Sequence, residues 1–97
     1  MAVTMFIELP GATTEQYDQL NEAMGVNGPD DEPDGLISHM CAVVDAGLMI
    51  CDVWRSQEDL DDFLQNQLGP AAQQLGLNSG GAPVVGALHH HYERDTR

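Results

Sequence analysis

A histidine, an aspartate and a tryptophan occupy two neighbouring apolar runs of the sequence. His39 lies in Leu36–Val44, and Asp52 and Trp54 lie in Leu48–Trp54. An imidazole beside a carboxylate can act as a proton-transfer group that the carboxylate orients, and an indole can pack against a ring-shaped ligand. These residue types indicate acid-base chemistry on a small molecule, provided that the fold brings the three side chains together.

The hairpin between the two runs decides whether these side chains meet. If Ala46-Gly47 forms a two-residue turn, Cys41 lies opposite Asp52 and His39 lies opposite Trp54. His39, Asp52 and Trp54 then share one face of the sheet. A shift of one residue in this register would send His39 to the other face, so the predicted cluster depends on the turn.

Alternation along the strands adds further pocket candidates. Ile50 lies on the same side as Asp52 and Trp54, and we assign Phe6 and Glu8 of the first strand to the same open face, away from the helices. A few polar groups among apolar neighbours on a concave surface are typical of a ligand pocket. The alternative is that the acid and the imidazole pair with each other at a subunit interface and do no chemistry.

Three consecutive histidines near the end of the chain are a second source of acid-base chemistry. The side chains of His89-His90-His91 alternate between the two faces of a strand, so they cannot all bind one metal ion from the same side. His90 shares a side with Tyr92, which makes both residues pocket candidates. Imidazoles titrate near neutral pH and can serve as acid or base. We predict no cofactor, with haem or metal binding as the alternative.

The elements that must position these residues follow from periodicity and turn chemistry. The predicted order begins with a strand, Val3–Leu9, and a helix from about Thr14 to Met24 that follows a capping box of Thr13 and Gln16. Two strands come next, Leu36–Val44 and Leu48–Trp54, and then a helix that begins after Ser56, with Asp59 at the reciprocal capping position, and continues to Leu75. A strand Val84–Tyr92 and a polar tail over 93–97 complete the order. Gly69-Pro70 predicts a kink or two shorter helices. This βαββαβ order predicts one α+β domain of ferredoxin-like type over residues 1–97, with a four-stranded antiparallel sheet that carries both helices on one face.

The charge of the chain limits its partners. The 97 residues contain 16 Asp and Glu against three Arg and no Lys, which gives a formal net charge of −13. Nucleic acid and anionic membranes would be repelled by this acidic protein. Four of the acids stand among two glycines and two prolines between Gly25 and Asp34, and this composition predicts an exposed loop, either a connection or a mobile lid.

Location and assembly follow from two further features. Cys41 and Cys51 are the only cysteines, and no segment combines a basic flank with a long apolar core, so we predict a cytoplasmic protein with reduced thiols. With both helices on one face, the other face of the sheet has no cover within the chain although it carries apolar side chains. We therefore predict a homodimer in which a second copy covers that face.

The segment Asp52-Val53-Trp54-Arg55-Ser56-Gln57-Glu58, followed by Leu60 and Phe63, resembles the dimeric α+β barrel superfamily. In particular, it is similar to antibiotic-biosynthesis-monooxygenase-like (ABM-like) domains, in which an acid and a Trp close the third strand and a capped helix begins at once. Leu68-Gly69-Pro70-Ala71 and a histidine near the end of the fourth strand resemble small actinobacterial members. The resemblance covers nearly the whole chain in the order of its elements.

This resemblance implies a barrel-forming dimer that binds a small molecule. Some members oxidise polyphenolic or quinol-like substrates with oxygen and without metal or flavin, whereas others bind haem, isomerise or cyclise small molecules. Asp52 and Trp54 match the family's acid and Trp, Asn66 is a loose match to polar residues of the second helix, and the predicted pocket departs from the monooxygenases in having no basic residue. We predict a monooxygenase-like enzyme for an aromatic or polyketide-like substrate, with His39 or His90 as the proton-transfer group. The alternative is a non-catalytic dimeric ligand-binding or accessory protein.

Overall fold

A four-stranded antiparallel sheet with helices on one face forms the protein. The computed structural model describes residues 1–94. The strands are β1 (Val3–Pro10), β2 (Leu36–Val44), β3 (Gly47–Trp54) and β4 (Val84–Ala87), in the spatial order β2-β3-β1-β4, and the helices are α1 (Thr14–Met24), α2 (Gln57–Phe63) and α3 (Gly69–Leu75). The predicted α+β ferredoxin-like fold is confirmed.

The core lies between the sheet and the helices. Apolar side chains of the two central strands cluster there with one residue of α2: Val3, Met5, Ile7, Leu9, Leu48, Ile50, Trp54 and Leu60. Each of them is at most 8% exposed. Burial of apolar area stabilises the fold by ~25 cal/mol per Å2, so this cluster is what holds the helices on the sheet.

Both predicted helix starts are confirmed. The side chain of Thr13 accepts a hydrogen bond from the backbone N–H of Gln16 at 3.2 Å, and the Gln16 side chain accepts from the backbone N–H of Thr13 at 2.9 Å. At α2, the Ser56 hydroxyl accepts from the backbone N–H of Asp59 at 3.1 Å. These bonds satisfy N–H groups that have no partner inside the helix.

A single π-helical turn, Leu64–Leu68, joins α2 to α3. The N–H of Gly69 donates to the carbonyl of Leu64, five residues earlier, and Pro70 has no N–H with which to resume the α-helical pattern at once. A Cβ on residue 69 would lie 2.7 Å from that carbonyl oxygen. The predicted interruption is therefore confirmed as two short helices, joined by a type of turn that is frequent near functional sites.

The turn of the β2–β3 hairpin lies one residue earlier than predicted. Asp45 and Ala46 form it, whereas the sequence suggested Ala46-Gly47. Gly47 has a different role, because a Cβ at that position would clash with the Leu9 carbonyl oxygen of the adjacent strand. Glycine is needed there for the close approach of β1 and β3.

Because of this turn, the register between β2 and β3 differs from the prediction. His39 lies opposite Asp52 instead of Trp54, and Cys41 lies opposite Ile50 instead of Asp52. The difference is two residues, and an even shift leaves every side chain on its original face. His39, Asp52 and Trp54 therefore share a face of the sheet, as predicted.

That face is not the one predicted. The register with β1 places Asp52 opposite Met5 and Ile50 opposite Ile7, so these residues and Trp54 lie under the helices. The assignment of Ile50, Asp52 and Trp54 to the open face is wrong. Both alternating sets of this strand are largely apolar, and the alternate set faces the open side: Met49, Cys51 and Val53.

β4 is shorter than predicted and ends at Ala87, not at Tyr92. Ala87 already lies opposite Val3, the first residue of β1, and the N–H of Leu88 donates to the carbonyl of Ala2 at 3.0 Å. Beyond this point β1 offers no further backbone for a ladder. The three histidines thus lie in irregular, exposed chain.

Two further sequence predictions concern the ends of the chain and membranes. Residues 95–97 of the predicted polar tail lie outside the described residues. Within residues 1–94, no helix is long and apolar enough to cross a membrane.

Candidate functional site

A cavity of about 470 Å³ lies between the sheet and the helices. Strand residues, helix residues and the loop after α1 line it, including Met5, Ile50, Asp52, Trp54, His39, Tyr17, Leu20, Met24, Phe63, Leu68, Asn27, Glu32 and Pro33. Small-molecule sites have volumes of about 300 to 1,000 Å³, so the cavity is large enough for a ligand of several rings. The loop after α1 forms part of its wall.

Four side chains on this wall form a continuous chain of hydrogen bonds. The hydroxyl of Tyr17 lies 2.5 Å from Nε2 of His39, and Nδ1 of His39 lies 2.5 Å from Oδ1 of Asp52. The indole Nε1–H of Trp54 donates to the other carboxylate oxygen, Oδ2 of Asp52, at 3.1 Å. The rings of Tyr17 and His39 are stacked, with centroids 6.0 Å apart.

Asp52 is the buried member of this chain. It is 3% exposed, and each of its carboxylate oxygens has a hydrogen-bond partner. A buried carboxylate without partners would be strongly unfavourable, so the indole and the imidazole are what allow an acid at this position. The side chain of His39, on the edge strand β2, is 33% exposed. The imidazole therefore links the buried acid to the accessible part of the site.

The protonation of Tyr17 fixes the direction of the bonds. Burial raises the pKa of the Tyr17 hydroxyl, the nearby negative groups add to that rise, and a hydrogen bond with Asn21 partly opposes it. The phenol is therefore protonated at neutral pH and donates to Nε2 of His39. An imidazole that accepts at Nε2 carries its proton on Nδ1, where it donates to Asp52.

Trp54 belongs both to the core and to the cavity. Its side chain is fully buried, and its ring lies 4.9 Å from that of Phe63 at a tilt of 36°. The same two rings line the cavity. Edge-to-face and tilted aromatic contacts stabilise a packed core beyond area burial, so this end of the cavity has a rigid aromatic wall.

Comparison with solved structures relates this arrangement to known proteins. A candidate antibiotic biosynthesis monooxygenase from Chloroflexus aurantiacus superposes with a TM-score of 0.65 at 18% identity, over 96% of this chain and 98% of the other. The chain has the antibiotic biosynthesis monooxygenase (ABM) fold. SnoaB from Streptomyces nogalater, a cofactor-independent oxygenase, gives 0.59 at 13% identity over 96% of each chain. Rv0793 from Mycobacterium tuberculosis gives 0.56 at 19% identity over 97% of this chain and 98% of the other.

The likeness to the ABM proteins lies in structure. No protein-family model matches the sequence, and no curated protein matches it significantly. Identities of this size support the shared fold and leave the chemistry to be argued from the side chains of this chain.

Within the ABM fold, four of the predicted site residues meet at the cavity. His39, Ile50, Asp52 and Trp54 all line it, and three of them take part in the hydrogen-bonded chain. The cavity lies on the helix side of the sheet, however, because the register of β3 with β1 turns these residues inward.

The other predicted site residues lie elsewhere. Phe6 and Glu8 are on the open face of β1, and Asn66 is exposed on the π-helical turn. His90 and Tyr92 follow the end of β4, exposed and outside the cavity lining. Their predicted roles therefore have no support from the geometry of this cavity.

Tyr17 is a site residue that the sequence argument missed. Tyr17, Leu20 and Met24 recur at helical spacing along α1, which by pattern alone indicates a core-facing stripe, and all three line the cavity. The sequence does contain a signal for this role. A tyrosine on a buried stripe needs a hydrogen-bond partner for its hydroxyl, and β2, over which α1 lies, carries His39.

Potential metal ligands are dispersed over the described part of the chain. Among residues 1–94, no group of three or more His, Cys, Asp or Glu side chains is placed to hold a metal ion. The prediction that the protein needs no cofactor remains a prediction.

Proposed function

We propose that this protein is a small-molecule enzyme that oxidises a hydroxylated aromatic or polyketide-like compound with molecular oxygen. The observation that carries the proposal is the hydrogen-bonded chain from Tyr17 through His39 to Asp52 on the wall of a ligand-sized cavity. The ABM fold, which SnoaB shares, supports the choice of reaction. Phe63, which is only partly buried and is backed by the fully buried ring of Trp54, supplies an aromatic surface against which a flat ring would pack.

The chain of side chains can remove a proton from a ring hydroxyl. A hydroxyl that donates to the oxygen of Tyr17 passes its proton through the phenol to Nε2 of His39, and Tyr17 is neutral again at the end. Asp52 then faces an imidazolium that it already holds by Nδ1, which stabilises the transferred proton. The electron-rich anion left on the ring is the species that reacts with oxygen.

The overall reaction balances without an added reductant. One oxygen atom enters the ring system as a carbonyl, and the other leaves as water with the remaining hydrogen of the oxidised carbon and the proton that the imidazolium of His39 returns. The substrate itself therefore supplies the electrons. An isomerase or cyclase would use the same proton transfer without consuming oxygen.

A non-catalytic ligand-binding protein is the second candidate, and one contact favours it. Nε2 of His39, the nitrogen that faces away from Asp52, is occupied by the hydroxyl of Tyr17. A chain that is satisfied within the protein can serve to shape a binding cavity alone. The two candidates differ in whether a bound ring is turned over.

The proposal includes a homodimer in the cytoplasm. Phe6, Met40 and Val84 are 43%, 61% and 66% exposed, and all three lie on the open face of the sheet, which supports a second copy as its cover. Cys41 and Cys51 are free and lie on opposite faces of the sheet, which supports a reducing compartment.

Anthrone tests the proposed reaction, because its enol form presents a ring hydroxyl and its product, anthraquinone, is easily measured. We expect oxygen consumption equal to the anthraquinone formed, and no turnover under nitrogen. His39→Asn should lower the rate about 10²- to 10⁴-fold, the usual effect of losing a general base. Near-ultraviolet circular dichroism of the variant checks that its core is intact.

His90→Asn is the matched control, since it removes the other predicted proton-transfer histidine. We expect it to keep the wild-type rate, because His90 lies outside the cavity lining. Anthrone that binds without consuming oxygen would favour the binding protein, and equal losses in both variants would contradict the role given to His39.

A further inference from the structure

We infer that the cavity selects its ligand by charge and takes an uncharged or cationic hydroxylated ring compound while it rejects anions. This inference rests on the proposed function for its site and its ring ligand. It adds the charge class of the substrate, which neither the fold nor the hydrogen-bonded chain specifies.

The described lining of the cavity contains two acids and neither lysine nor arginine. Asp52 is buried in the wall, and Glu32 contributes from the loop after α1. Three further acids, Asp30, Asp31 and Asp34, stand in the same loop. A carboxylate ligand would therefore approach through a negative field and find no counter-charge beside it.

The arginines of the described chain are placed away from the cavity. Arg55 lies outside the lining, and its Nε donates to the carboxylate of Asp59 at 2.9 Å. Arg94 is exposed in the irregular chain after β4. The sequence contains no lysine. His39 is the one lining residue that can become a cation, and its Nδ1 already faces Asp52.

The neutral polar groups of the wall suit a hydroxyl. Tyr17 offers a hydroxyl oxygen that can accept, and Asn21 and Asn27 offer amides that can donate or accept. Ser38 adds a second hydroxyl, and apart from His39 and the two acids the remaining wall is apolar and aromatic. Such a lining binds a ring with hydroxyl groups well, whereas a carboxylate would lose its hydration without an ionic partner.

Three hydroxynaphthalenes separate charge from size, because the anionic and the cationic compound carry substituents of similar size at the same position. They are 2-naphthol, 6-hydroxy-2-naphthoate and 6-(aminomethyl)-2-naphthol, which are neutral, anionic and cationic at neutral pH. Equilibrium dialysis at low salt gives each dissociation constant, and the single Trp54 indole N–H signal in the NMR spectrum reports binding in the cavity. We expect the carboxylate to bind at least ~10-fold more weakly than naphthol, a difference of about 1.4 kcal/mol, and the amine at least as tightly as naphthol.

The gap is the ratio of the dissociation constant of the carboxylate to that of naphthol. Glu32→Gln should reduce the logarithm of this ratio by about half or more, because it removes a negative charge from the wall. Asp45→Asn is the matched control. It removes the same unit of charge from the exposed β2–β3 turn, outside the lining, and should leave the gap unchanged.

Equal or tighter binding of the carboxylate would overturn the inference, and so would naphthol that binds without moving the Trp54 signal or does not bind at millimolar concentration. A narrowing of the gap by Asp45→Asn equal to that by Glu32→Gln would overturn it too, since the discrimination would then come from net charge. These results are independent of oxygen consumption with anthrone. A protein that oxidises no substrate can still bind the three compounds in the expected order of affinity, and an enzyme that oxidises anthrone can lack that order.

Discussion

The hydroxyl of Tyr17 determines what His39 can do at neutral pH. As long as the phenol is protonated, it donates to Nε2 and holds the imidazole in the tautomer that donates to Asp52. The arrangement resembles a catalytic triad in which the carboxylate of Asp52 orients the imidazole of His39, and the phenol of Tyr17 occupies the place of the hydroxyl that the imidazole would deprotonate. A ligand must therefore engage Tyr17 or displace it before the imidazole can take a proton.

Titration of Tyr17 tests this placement. Its pKa is raised above the ordinary value of 10.0, first by burial and then by nearby negative groups. The chain has two tyrosines, so Tyr92→Phe leaves Tyr17 as the only source of tyrosinate absorbance. We expect its midpoint above pH 10.0 in the folded protein and near 10.0 in denaturant.

The same shift predicts the direction of a stability change. A folded-state pKa above the unfolded one means that the native protein keeps its proton longer, so the contribution to stability is complete below pH 10 and is lost as pH rises through the folded value. Tyr17→Phe should remove this alkaline loss. A native midpoint at or below 10.0 would contradict the burial of the phenol against the imidazole.

At the scale of elements, the sequence predicted those features that depend on particular residue types at a fixed spacing. Thr13 with Gln16 and Ser56 with Asp59 identified the two helix starts, because capping needs those side chains at that spacing. In β1, one alternating set is wholly apolar and the other contains Thr4 and Glu8, so the core face was unambiguous. The order of the elements then fixed the fold.

The errors arise where contacts between elements decide the structure. Both alternating sets of β3 are largely apolar, so only the register with β1 decides that Trp54 faces the helices. Gly47 has the residue type of a turn, but glycine is needed there for the close approach to the Leu9 carbonyl oxygen. Tyr17 looked like a core residue, and its hydrogen bond with His39 depends on how α1 lies across the sheet. Each of these facts is tertiary and absent from local pattern.

Gly35 gives a prediction at this scale, because it connects the start of β2 to the start of α2. Its φ is +87°, its carbonyl accepts from the N–H of Arg55 at 2.7 Å, and a Cβ there would lie 2.6 Å from the carboxylate of Asp59. Gly35→Ala should therefore combine backbone strain with displacement of a side chain that bonds Arg55 and Ser56. We expect a loss of about 2 to 4 kcal/mol in the free energy of unfolding, measured in urea.

Gly11→Ala is the matched control for strain alone. Gly11 has a φ of +74°, and a Cβ there would meet nothing within 4 Å. It should cost roughly 1 to 2 kcal/mol, the ordinary penalty for a left-handed residue. Equal losses in the two variants would show that the contact with Asp59 contributes nothing.

For the whole molecule, the acidic charge and the open sheet face act against each other. Sixteen acids against three arginines give each subunit a charge of −13, which opposes association of two copies. The apolar side chains on the open face favour it by removing their area from water. The proposed dimer should therefore become tighter as salt screens the repulsion, since the Debye length falls to about 10 Å at 0.1 M.

Met40→Glu tests the dimer directly. Met40 is 61% exposed on the open face, where a second copy would cover it, so the variant would bury two unpaired charges related by symmetry. We expect light scattering to give twice the mass of the chain for the wild type at ~10 µM, and the variant to dissociate at least ~100-fold more readily, the equivalent of about 2.7 kcal/mol. Val43→Glu adds the same charge at a residue that is 73% exposed on the other side of the sheet, and it should leave the dimer intact. A monomeric wild type, or equal weakening by both variants, would remove the dimer from the proposal and leave the cavity, which lies within one chain, unaffected.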